Sequence, residues 1–287
     1  MEFLYFCRQK SIMKQPRLHF YRIGEGVTAF SSSRQGGYSE GRYGEFNINR
    51  YCGDDEQHIR QNRASLCELL GIRDERLIMP HQVHEAEIIV VDNDFLQLSD
   101  TERKQRLEGV DALMTNVPEV CIGVSTADCI PVLLIDRVRR VSAAIHAGWR
   151  GTAKRIVEKT VAVMTATYGC CPQDIVAQIG PGIHQDSFEV GDEVYASFVQ
   201  EGFPMETISR KYPAHDGSLI EKWHIDLPEC NRQQLLSCGI PDSQIMVSEI
   251  CTYQQYERFF SARRLGINSG RIFTGICMSC DAAAKGV

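Results

Sequence analysis

Between residues 120 and 145 the chain passes through three β-rich runs, Val120 to Thr126, Val132 to Asp136 and Val141 to Ile145, with no helical stretch between them. Runs this apolar read as buried strands. Further strands are expected within Arg17 to Phe30, at Ala86 to Asp92 and at Ile175 to Ile179, while helical spacing is confined to isolated segments. Asp54 and Asp55 can cap a helix over about Glu56 to Leu70, with Ile59, Leu66, Leu69 and Leu70 turned inward and Gly71 as its stop. A second helix is expected from Gly151 to about Tyr168, a third over Glu193 to Val199 and a fourth over Pro228 to Ser237. Strands mixed with isolated helices, without strict alternation, predict an α+β domain with antiparallel or mixed sheets.

The 287 residues show no internal repeat and no low-complexity linker, so one continuous domain is expected over 17–276, flanked by tails at 1–16 and 277–287. A chain of this size buries roughly three quarters of its unfolded surface when it folds compactly. The formal charge of −6 is spread along the sequence and no long Lys/Arg run stands out, which removes the usual source of nucleic-acid affinity. The apolar blocks are broken by Asp128, Pro131 and Asp136 before they reach the ~20 residues of a membrane span. Phe3 to Cys7 is too short for a signal-peptide core and has no basic segment before it. A soluble, cytoplasmic protein with reduced thiols is expected.

The twelve cysteines are scattered, and most read as small buried hydrophobes, as in Val120-Cys121-Ile122. Cys277-Met278-Ser279-Cys280 has no second Cys-x-x-Cys with which to complete four zinc ligands. Gly24-Glu25-Gly26-Val27-Thr28-Ala29 matches a dinucleotide fingerprint in letters alone, because Ser31 to Gly37 after it reads as a turn and not as a phosphate-holding helix.

Chemistry is concentrated in Pro80-His81-Gln82-Val83-His84, Thr126-Ala127-Asp128-Cys129 and Ala144-Ile145-His146-Ala147-Gly148-Trp149-Arg150-Gly151, each beside an expected strand. Two imidazoles and a thiolate are good zinc donors, and three protein ligands with an open fourth position characterise catalytic zinc. By spacing alone His81 and His84 compete for one of these places, and a histidine near an apolar strand is most often a hydrogen-bonded core residue. Asp128 could orient an imidazole or cap a turn.

These segments closely resemble the YfiH family, also labelled polyphenol oxidase or laccase-domain proteins and peptidoglycan editing factor. The resemblance runs from about Val27 to Ile276 and takes in Ser33-Arg34-Gln35-Gly36-Gly37, Phe46-Asn47-Ile48-Asn49, Asn62-Arg63, Gln82-Val83-His84 and Asp111-Ala112-Leu113. It continues through Thr126 to Val132, His146 to Gly151, Ile179 to Ile183, Phe188 to Gly191, Cys251-Thr252-Tyr253 and Arg263-Arg264. It implies a layered α/β/β/α fold like that of cytotoxic necrotizing factor, and a metal, Zn²⁺, on His84, Cys129 and His146, with copper as an adventitious occupant. It also implies phosphorolysis of purine nucleosides, with adenosine deamination and methylthioadenosine cleavage at the same site. Two departures stand out: Glu85, where the family usually has Gly after the ligand, and an insertion-like stretch from Asp94 to Gly109.

The expected partners are purine nucleosides and phosphate. Arg150 and Gly151, at the start of the expected helix, together with Arg34 or Arg63, are the candidate phosphate donors. Asn47 and Asp111 are candidates for the nucleoside hydroxyls. Three rival readings remain: a Cys-dependent hydrolase, deamidase or cell-wall precursor editing enzyme using Cys129 and His146, a copper polyphenol oxidase, and a zinc-stabilised interaction module. The second needs many imidazoles, commonly in His-x-His pairs, whereas this chain has eight His with no two separated by one residue.

Overall fold

The computed structural model describes residues 13–214 and 220–280. Two mixed sheets lie face to face. The first has five strands in the order Leu18–Tyr21, Val27–Ser32, Ile272–Met278, Cys121–Thr126, Leu77–Ile78, all antiparallel except the last pair. The second has six, in the order Ile245–Val247, Ile175–Ile179, Ile130–Asp136, Val141–Ala147, Ala112–Thr115, Ile88–Val90, parallel at both edges and antiparallel in the middle. A small three-stranded antiparallel sheet is centred on Glu221–Ile225.

The period of two within a strand sends neighbouring side chains to opposite faces, and here both faces are covered. Leu133, Ile135 and Ala144 meet Ile122, Val124 and Ile276 between the two sheets. Val132, Leu134, Ala143 and Ile145 point the other way, onto Ile156, Val157, Val161 and Met164 of the Ile156–Tyr168 helix. On the outer face of the five-stranded sheet, Phe30, Phe273 and Cys277 pack on Leu66 and Cys67 of the Glu56–Leu70 helix. The layers are therefore α/β/β/α. The central strands are buried along their whole length, which explains why they read as continuous apolar runs.

The Glu56–Leu70 helix begins as expected: the Asp55 carboxylate accepts hydrogen bonds from the amides of Gln57 and His58, and Gly71 closes the helix in the left-handed region. Leu69, expected inside, is exposed, because the buried face runs through Ile59, Asn62, Arg63, Leu66 and Cys67. The helix expected from Gly151 to Tyr168 is two helices, Trp149–Ala153 and Ile156–Tyr168. Arg155 separates them in the left-handed region (φ 62°), held by hydrogen bonds from its guanidinium to the Glu201 carbonyl and the Glu158 carboxylate. Gly26 sits in the turn between the first two strands (φ 62°), so the fingerprint-like letters belong to a hairpin.

The last strand of the five-stranded sheet runs to Met278, two residues past the expected domain end at 276, with Cys277 opposite Cys121. Of the expected tails, residues 1–12 and 281–287 lie outside the described residues. The Asp94 to Gly109 stretch forms two short helices, Asn93–Gln97 and Asp100–Arg106, the second started by a Ser99–Glu102 capping box. Apart from Cys280, the described cysteines are free thiols, and among the described residues no helix is long and apolar enough to cross a membrane.

A candidate metal centre at the sandwich edge

Three connections meet where the sheets come together at one edge. The 126–130 segment crosses from the five-stranded to the six-stranded sheet and carries Cys129. His146 lies at the end of the Val141–Ala147 strand, opposite Pro131. His84 sits on the loop that leaves the Leu77–Ile78 edge strand. The ligand atoms of His84, Cys129 and His146 all lie within 4.8 Å of one another, on the order of the sum of two metal–donor bonds of about 2.0–2.3 Å each. Exposure falls from His84, which is exposed, through half-buried Cys129 to buried His146, so the cluster opens to solvent on the His84 side.

The loop bearing His84 is fastened on both sides. The Gln82 side chain donates to the Ser125 carbonyl at 2.9 Å and accepts from the Ser125 amide at 2.8 Å, imitating a strand pairing. The Asp111 carboxylate accepts from the amides of His84 at 3.1 Å and Glu85 at 2.8 Å, and from His146 Nδ1 at 2.7 Å. Asp111 thus fixes the donor loop and the tautomer of a donor at once, leaving His146 Nε2 for the cluster. His84 has φ 65° and Asp128, beside Cys129, has φ 87°, so left-handed backbone is held at two places around the cluster, at a cost of ~1–3 kcal/mol each. The residue that departs from the family pattern, Glu85, is not itself among the residues with positive φ; its side chain pairs with Lys154.

The electrostatics favour a bound cation. Burial pushes the Cys129 thiol up, but His146 and His84 beside it prevail and bring it down to about 6. For His146 burial works against the charged form, and the Cys129 thiolate and the Asp111 carboxylate outweigh it, raising the ring to about 9. Burial likewise opposes ionisation of Asp111, yet His146 and the Glu85 and His84 amides hold it below its ordinary range. Gly148 leaves room for the cluster: a Cβ there would stand 3.0 Å from both Cys129 Sγ and His84 Cδ2. A ready thiolate, two imidazoles, one of them carboxylate-oriented, and a side-chain-free approach together fit a zinc-sized ion.

The cluster forms one wall of a cavity of about 560 Å³, within the range of small-molecule sites, which is also lined by Tyr51, His81, Trp149, Phe188, Arg263 and Arg271. The expected phosphate donors are placed elsewhere. Arg34 donates to the carbonyls of Gly44 and Tyr256, and Arg63 is committed to Asp74 and the Leu77 carbonyl. Arg150 is exposed and stacked over Trp149, 4.2 Å from its ring centre, outside the residues that line the cavity. Asn47 is fully buried beneath the site, donating to Asp54 and accepting from the Arg271 amide. Asp128 faces away from the imidazoles: it accepts from Thr252 Oγ1 at 2.8 Å and from the Arg263 amide at 2.7 Å.

The cavity's own arginines were missed. Arg271 spends its guanidinium on the carbonyls of Ile267, Ser269 and Gly270, whereas Arg263 gives one bond to the Glu189 carbonyl. Arg263 stood in a matched motif, but nothing in the letters brings residue 263 to residue 129. Asp111, taken for a contact to nucleoside hydroxyls, is instead the carboxylate behind His146.

A two-sheet sandwich carrying an open His/Cys/His cluster at its edge is the layered architecture expected of a laccase-domain protein. Residues 28–279 match the model of the family described as multi-copper polyphenol oxidoreductase laccase, and the chain belongs to this family, the YfiH family. A Bacteroides thetaiotaomicron protein named purine nucleoside phosphorylase is 45% identical over 269 residues, covering 93% of this chain and 98% of its own. A protein of an unknown prokaryotic organism named adenosine deaminase RL5 is 43% identical, covering 91% and 97%. The crystal structure of YlmD from Geobacillus stearothermophilus superposes with a TM-score of 0.80 at 30% identity, covering 93% of this chain and 99% of that one. That of the Bacillus licheniformis hypothetical protein YfiH gives 0.81 at 29% identity, covering 94% and 98%.

Proposed function

We propose that this chain is a zinc-dependent purine nucleoside phosphorylase that also deaminates adenosine and cleaves methylthioadenosine at the same site. The observation that carries the reading is the convergence of His84, Cys129 and His146, with Asp111 behind His146, on a nucleoside-sized cavity. The names of the relatives that match this chain over nearly its whole length supply the substrate class. When bound, zinc supplies positive charge beside an oxyanion and lowers the pKa of a coordinated water.

The chain's own residues do the rest. Cys129, His84 and His146 hold the ion, and Asp111 keeps His146 in the tautomer that offers Nε2. Arg263, on the cavity wall with one donor anchored to Glu189, is the cation that meets phosphate in place of Arg34, Arg63 and Arg150. Tyr51, Trp149 and Phe188 give the purine and ribose apolar surface and exclude water. Copper, an N/S-seeking ion, would bind the same donors, but the one three-donor cluster among the described residues falls short of the set that phenol oxidation by several coppers requires.

A second reading has its own observation. Cys129, His146 and Asp111 stand in the order nucleophile, base and orienting carboxylate, the arrangement of a thiol hydrolase. His84, as a third converging donor, has no task in that scheme and favours the metal. The test is to incubate metal-analysed protein with inosine or adenosine, with and without phosphate, and to identify the products by chromatography. Phosphate-dependent release of hypoxanthine or adenine, lost on chelation and restored by zinc, is expected. A fully active metal-free protein inactivated by alkylation of Cys129 would establish the thiol hydrolase instead.

A further inference from the structure

His81, the histidine of the Pro80–His84 segment that the metal cluster does not use, is built like a working group. Its ring forms part of the wall of the cavity that also holds His84, Cys129 and His146. Its backbone is clamped on both sides, with its amide donating to the Leu107 carbonyl at 2.9 Å and its carbonyl accepting from the Gly109 amide at 3.0 Å. Its Nδ1 lies 2.6 Å from a Glu108 carboxylate oxygen, and its ring stacks on Tyr51 with centres 4.1 Å apart and planes at 21°. Among the described residues nothing hydrogen-bonds its Nε2. The pairing repeats that of His146 with Asp111, where a carboxylate on Nδ1 also leaves Nε2 for the chemistry.

Cleavage of a purine nucleoside needs a proton on the leaving base. A phosphate oxygen forms a bond to C1′ while the C1′–N9 bond breaks, and its electron pair passes into the purine, which must be protonated at N7 or N9 to leave as a neutral base. Metal ligands cannot donate that proton, and the arginines of the cavity wall do not give theirs up.

We infer that His81 is the general acid of nucleoside cleavage, donating the Nε2 proton to N7 of the purine, with Glu108 as the positioning residue that fixes its ring and Tyr51 as its stacking support. This rests on the phosphorylase reading above. The Glu108 carboxylate holds the ring through Nδ1 with Nε2 turned free, and the proton given up to the purine is regained from solvent at the open rim.

The test compares inosine with N7-methylinosine, whose purine already carries a positive charge and leaves without protonation. With zinc and phosphate present, His81→Ala and His81→Asn are expected to lower kcat for inosine by ~10²–10⁴-fold, the usual worth of a general acid, and to leave N7-methylinosine cleavage close to wild type. Survival of that second activity also reports that the variants fold and hold zinc. Glu108→Gln is expected to give a smaller loss of kcat, again confined to inosine, with KM little changed. Equal losses on both nucleosides, or no loss on inosine, would overturn the assignment of His81 while leaving the phosphorylase reading intact. Wild-type protein that cleaves neither nucleoside with phosphate would overturn both.

Discussion

Replacing Asp111 by Asn tests the construction of the metal centre at its most connected point. One carboxylate oxygen accepts from His146 Nδ1 at 2.7 Å and the His84 amide at 3.1 Å, and the other accepts from the Glu85 amide at 2.8 Å. Asn has the same shape but one acceptor oxygen, so either the Glu85 amide or the His146/His84 pair must face an NH₂ group. A buried donor left unsatisfied costs about 1–3 kcal/mol, and the negative charge that held the His146 tautomer is lost as well. If about 2 kcal/mol of this falls on the bound state, zinc affinity drops ~30-fold, inside the ~10–100-fold usual for a carboxylate behind a ligand histidine. Competition with a chromophoric chelator at fixed pH measures the affinity, and ¹⁵N NMR of the zinc-loaded protein, in which His146 is a neutral ligand, reads its tautomer. Wild-type affinity together with an unchanged tautomer would refute the argument that Asp111 sets the donor.

Gly148→Ala is expected to weaken zinc binding about tenfold or more with little change in the melting temperature of the metal-free protein, since its Cβ would crowd Cys129 Sγ and His84 Cδ2, each at 3.0 Å; a variant that binds zinc like wild type argues against the cluster as drawn. Arg263→Ala is expected to raise the phosphate KM by ~10–100-fold, the worth of a charge-assisted hydrogen bond, at unchanged zinc content, whereas Arg150→Ala should leave it alone; the opposite pattern in phosphate titrations would restore the helix-start pocket. Burial raises the thiols of Cys67 and Cys277 to about 11, Cys170 to about 12, and Cys121 and Cys230 well above the ordinary value. The unfolded chain therefore sheds protons from about pH 8.5 while the folded chain keeps them, so stability is full below that pH and falls above it by up to ~1.4 kcal/mol per pH unit for each thiol. Urea midpoints between pH 7.5 and 10 should decline, and less steeply in Cys230→Ala; a flat profile would show that these thiols are not held neutral.

The central strands were legible because they are buried on both faces and write themselves as the separate apolar runs Val120 to Thr126, Val132 to Asp136 and Val141 to Ile145, while the layering itself came from the resemblance to the YfiH family. Cys129 and His146 stood out as donors beside strands, but His81 and His84 competed for the third place until the family resemblance selected His84, which the structure brings to the other two. What the letters did not carry were partnerships across long separations. Asp111 finds His146 through strand pairing of Ala112–Thr115 with Val141–Ala147, and Arg263 reaches the cavity because Asp128 binds its amide. The helix break at Arg155 was hidden too, since an arginine carries no local breaking signal and its left-handed backbone depends on Glu201 and Glu158.

The placement of Cys129 on the crossover between sheets has a kinetic consequence. His84 hangs from the edge of the five-stranded sheet, His146 ends a central strand of the six-stranded one, and Cys129 belongs to the link between them. An ion held by all three is a clasp across the open edge of the sandwich, and the two sheets cannot part without first breaking a metal–donor bond. Such a clasp acts on the rate of unfolding as much as on its equilibrium, so the loaded protein should outlast the empty one under protease by a larger factor than their melting temperatures suggest.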